Sequence, residues 1–85
     1  MEQIIAITDK IQTMFCDLEN KTKDMDIFSR EVYNMRKTTL TDILKILNES
    51  LIEYPDSNVL FNLKTRCITS IQLMTLADRI GIIED

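Results

Sequence analysis

EQIIAITDKIQTMFCDLE (residues 2–19), NKTKDMD (20–26) and IFSREVYNM (27–35) follow one another without a gap. Across them Ile4, Ile7, Ile11, Met14, Leu18, Met25, Phe28, Val32 and Met35 recur at alternating steps of three and four, interrupted only by Lys21. That spacing gathers the apolar residues on one side of a helix. A stripe this regular has to be buried against another, so helix-on-helix packing, within the chain or between chains, decides the fold.

Residues 20–26 admit two readings. They are polar and rich in turn formers, so the helix can end near residue 19, with Asp24 or Asp26 capping a second helix. Alternatively the heptad register carries one long helix through to Met35. The break is favoured, because an antiparallel hairpin lets a small chain bury its own stripe.

A second change of phase falls at Arg36-Lys37-Thr38-Thr39. The stripe resumes as Leu40, Leu44, Leu47, Leu51 and Tyr54, one residue out of register, with Ile43 and Ile46 widening it. Such a shift predicts a new helix or a bend, and Thr39 with Asp42 resembles a capping box. Pro55 pushes Tyr54 out of the α region and ends that segment. Asp56 and Ser57 are N-cap candidates for a last helix over residues 58–80, with Leu60, Leu63, Cys67, Ile71 and Met74 inside and Gly81 closing it.

Size and composition agree with these long elements. The 85 residues hold one Gly, one Pro and no Trp, with 45% apolar and 28% charged side chains. The expected fold is all-α: a single domain over residues 1–85, a small antiparallel helical bundle of three to four helices, which dimerisation can complete. Chains of this length have marginal cores, and association is a common remedy.

No catalytic chemistry is legible, and the chain is expected not to be an enzyme. The absence of His removes the commonest general base and metal ligand. One Gly cannot build a phosphate-binding loop, and the acids between Asp17 and Asp26 lack the spacing of a calcium site. No cofactor and no metal are expected. A net charge of −4 argues against nucleic acid, which demands cationic side chains. No stretch is long and apolar enough for a signal peptide or a membrane span, so a cytoplasmic location is expected. Cys16 and Cys67, without metal-type spacing, read as reduced thiols, Cys16 on the outer face and Cys67 in the core.

Two surfaces stand out as protein-binding candidates. Leu73, Leu76, Ile80, Ile82 and Ile83 make an apolar end beyond what the inner stripe needs, though this end can also fold back into the core. Arg30, Arg36 and Lys37, with Lys21 and Lys23, form a basic belt: residues 21–37 carry +2 between segments of −3 on either side. The belt can pair with acidic neighbours, steer an acidic partner or simply stay solvated. Asp17 with Lys21 and Glu19 with Lys23 are spaced as i,i+4 pairs.

The expectation is therefore a small regulatory or adaptor protein that acts by protein–protein interaction through an apolar helix face, as a homodimer. Two alternatives stand beside it: an inhibitor or immunity-type protein that neutralises one target, and a structural coiled-coil assembly element.

Overall fold

The computed structural model describes residues 2–84 and shows three helices: α1 (Glu2–Thr22), α2 (Arg30–Glu53) and α3 (Asn58–Arg79). The all-α expectation holds, with three helices. The break in the first stripe is real, but it falls three residues later than residue 19. At the corner the Asp26 carboxylate accepts the Phe28 N–H at 2.9 Å, and the Ser29 N–H donates to the Asp26 carbonyl at 3.0 Å. Ser29, not Asp24 or Asp26, caps α2, its hydroxyl accepting the Val32 N–H at 3.2 Å.

No second break occurs at residues 36–39, because α2 runs straight through them. Tyr33, only 5% exposed, supplies the reason. It lies seven residues before Leu40, and together with Val32 it continues the buried face of Leu40, Ile43, Leu47 and Ser50 in one unbroken register. Thr39 is mid-helix and caps nothing. The chain leaves α2 at Tyr54 (φ −125°, ψ 65°) ahead of Pro55, and Ser57 caps α3 by accepting the Leu60 N–H at 3.3 Å.

The C-terminal end of α3 is a left-handed closure. Gly81 has φ +82°. Its N–H donates to the Asp78 carbonyl at 3.2 Å and the Ile82 N–H to the Ala77 carbonyl at 3.0 Å, which satisfies carbonyls that a helix end leaves orphaned. The tail then turns back, and the Glu84 N–H donates to the Phe28 carbonyl at 2.8 Å. The ends of α1 and α3 thus meet at the corner where α2 begins.

α2 is the middle of the molecule. α1 and α3 each pack on α2 and scarcely touch one another. The buried cluster of Ile11 from α1, Leu40, Ile43 and Leu47 from α2, and Leu60 and Cys67 from α3 joins all three. The Cα envelope measures 42 × 24 × 14 Å. Three helices side by side, at spacings of 8–10 Å and a Cα radius of 2.3 Å, would span roughly 21–25 Å, whereas a closed triangle would be about 14 Å in both directions. The bundle is therefore splayed. Its 14.0 Å radius of gyration exceeds the roughly 12 Å of a compact chain of this length.

Candidate functional site

Splaying leaves a groove between α1 and α3 with α2 as its floor. One cavity of about 450 Å³ along it has Thr8, Phe15 and Glu19 of α1 on one wall and Leu63 and Arg66 of α3 on the other. A second, of about 220 Å³, lies at the corner end, where Ile27, Phe28, Leu73, Met74 and Ile83 converge.

Arg36 links these spaces. It lines both cavities and a third between them, beside Leu40 and Ser70. Its position is unexpected, since three residues after Tyr33 and four before Leu40 it belongs to the core-facing side of α2, yet it is exposed. A guanidinium there stays hydrated only because no helix covers it. It forms no ion pair among the described residues.

The other belt residues are held differently. Arg30 is half-buried, and its Nη2 lies 2.7 Å from Asp78 Oδ1 on α3. The hydrogen bond from Arg30 holds the Asp78 carboxyl below its ordinary pKa, opposed by desolvation and aided by the charges of Arg30 and Lys37. Arg30 and Lys37 also flank the Tyr33 ring, at 4.9 and 5.6 Å from its centroid, within the range where a cation is attracted to a ring face. Lys37 is exposed and opens onto a shallow depression with Asn34 and Asp42, away from the corner. The i,i+4 pairs Asp17–Lys21 and Glu19–Lys23 do not form as ion pairs, and Lys23 lies past the end of α1.

The apolar candidates divide. Ile83 is half-buried and folds back into the corner cavity. Leu73, Leu76, Ile80 and Ile82 remain 62, 53, 63 and 44% exposed. Leu73, Leu76 and Ile80 follow each other at steps of three and four, so they form one ridge beside the groove. The structure thus brings Leu73, Ile83 and Arg36 together in one cavity and continues it outward through Leu76 and Ile80. Arg30 and Lys37 sit outside it.

Four lining residues are not marked by the sequence pattern. Ile27 and Phe28, 61 and 44% exposed, join the corner because the helix break removes Phe28 from the stripe to which its spacing assigned it. Glu19 and Arg66 face one another across the groove only through the helix order, and no local pattern signals that.

Cys16 is exposed on the α1 wall and Cys67 is buried, so each thiol lies where its stripe position indicated. Burial raises the Cys67 thiol pKa, with Arg66 partly opposing. Among the described residues no cluster of metal-binding side chains is present, and no helix is long and apolar enough to cross a membrane. Comparison with protein families, curated proteins and solved structures gives no match.

Proposed function

We propose that this chain is a small, non-enzymatic regulatory or adaptor protein of the cytoplasm, acting by binding protein through the apolar corner and groove. The observation that carries the reading is the solvent-exposed surface of 6079 Å². A folded monomer of 9.9 kDa is expected to expose about 5,200 Å². The bundle is splayed, and among its exposed large apolar side chains Leu73, Leu76, Ile80, Ile27 and Phe28 lie toward the corner end; apolar patches of that kind mark interaction sites. An open groove between two helices is a form that accepts a further helix.

The test is Leu76→Asp combined with Ile80→Asp. Both side chains are more than half exposed, so circular dichroism should show an unchanged helix content, while association is lost because unpaired charge is placed in a buried interface. A folded double variant that keeps all of its binding partners overturns the assignment of this surface.

A further inference from the structure

α1 reaches α2 through residues 23–29, KDMDIFS, a corner that holds neither Gly nor Pro. No described residue other than Gly81 has a positive φ, so the backbone of the corner contains nothing that forbids a helix. What stops one is a set of competing hydrogen bonds. The Asp26 carboxylate takes the Phe28 N–H and the Ser29 hydroxyl takes the Val32 N–H, donors that a continuous helix would send to the Asp24 and Phe28 carbonyls. The Phe28 carbonyl is itself occupied by the Glu84 N–H, so the C-terminal tail latches the bend.

The heptad spacing from Ile4 to Met35 nevertheless runs straight through this corner. Val32 is buried and Met25 and Met35 are half-buried, but the bend leaves Phe28 44% exposed. We infer that the corner is a hinge, and that opening it exchanges α1 between two copies of the chain, with α1 and α2 of each joined in one helix over residues 2–53. α1 then occupies on the α2 of the other copy the place it holds on its own, so the buried cluster around Ile11 is kept. The exchange leaves the groove between α1 and α3 as it is and stands apart from the proposed function.

Register supports the exchange. In the closed chain Met14 and Leu18 of α1 line one cavity with Thr39 and Met35 of the antiparallel α2, which sets Leu18 level with Met35. Seven residues further along each helix toward the corner, that pair becomes Met25 and Phe28. In the exchanged dimer Met25 of each copy therefore lies level with Phe28 of the other, which completes the seam that the bend interrupts. The two-fold axis passes between them. As helix, residues 23–29 span about 10 Å, so the two apolar corners stand end to end.

The test is sedimentation equilibrium of the full chain from micromolar to millimolar concentration, with variants that move the hinge in each direction. Asp26→Ala with Ser29→Ala removes both side-chain acceptors and favours helix, so it should tighten dimerisation tenfold or more over wild type. Ser29→Ala alone should shift it the same way, and it decides the matter where the double variant fails to fold. Ile27→Pro should do the reverse. The Ser29 N–H donates to the Asp26 carbonyl, which makes Ile27 the second residue of a four-residue turn, a position that favours proline. The Ile27 N–H donates to nothing among the described residues, whereas the same proline inside a helix breaks it. Added to the alanine variants, Ile27→Pro should return them to monomer with helical circular dichroism retained. Amide exchange at Ile27 should be fast in the monomer and protected in the dimer, where its N–H meets the Lys23 carbonyl. Alanine variants no more associated than wild type, a dimer that survives Ile27→Pro, or a dimer whose Ile27 amide exchanges freely each overturns the inference.

Discussion

Arg30 on the first turn of α2 and Asp78 in the last turn of α3 are joined by a 2.7 Å ion pair that pins the open corner. Because the folded state holds the Asp78 pKa below its ordinary value, the pair contributes above the normal carboxylate range near 3.9 and is lost as pH falls through the lower folded value. Asp78→Asn should therefore melt slightly below the wild type at neutral pH, with the gap closing in strong acid and shrinking in high salt. A melting difference that persists unchanged down to pH 2 contradicts this account.

Leu47 has no exposure, whereas Ile52 five residues on is 83% exposed. Leu47→Ala should cost about 2–5 kcal/mol in urea unfolding, a large share of the roughly 4–13 kcal/mol expected of a chain this size. Ile52→Ala should stay within about 0.5 kcal/mol of wild type. Comparable effects at the two positions would mean that the core is not where the structure puts it.

A methyl group added at Gly81 meets nothing within 4 Å, so the cost of Gly81→Ala is one of backbone alone. At φ +82° that cost is about 1 kcal/mol. Its signature is local: amide exchange should quicken at Ile82 and Glu84, whose N–H groups bond to Ala77 and Phe28. Unchanged protection at both amides would show that the turn does not depend on glycine.

The two thiols should separate cleanly. In dilute protein a thiol reagent at mildly alkaline pH should label Cys16 at once and Cys67 only as the chain unfolds, because burial both shields Cys67 and disfavours its thiolate. Rapid labelling of both thiols in folded protein would contradict the burial of Cys67.

Much of this architecture is legible in the sequence. The last helix, its Ser57 cap, the exit at Pro55 and the Gly81 closure each follow from one residue's local chemistry, and local chemistry is what a sequence displays. Leu40, Leu47, Leu60 and Cys67 are buried as their spacing required. The expected break at residues 36–39 does not occur because Val32, as its spacing indicates, and beside it Tyr33 are both buried on the face that continues into Leu40, Ile43 and Leu47, whereas Met35 is only half-buried. The groove was illegible because it depends on how far apart α1 and α3 stand on α2, a distance that periodicity does not encode. The charge of Arg36 marks it in the sequence, but its place on the core-facing side of an uncovered helix emerges only in three dimensions.

Ile11 is the one side chain of α1 that is fully buried, while α2 buries six residues. The first helix is thus fastened at a single point, with half-buried neighbours on either side. Such an element is the natural unit of sub-global opening, and α1 is expected to peel away from the α2–α3 pair before the molecule as a whole melts. Proteases acting on native protein should then cut first within residues 23–29, releasing an N-terminal fragment while the remaining pair stays largely helical.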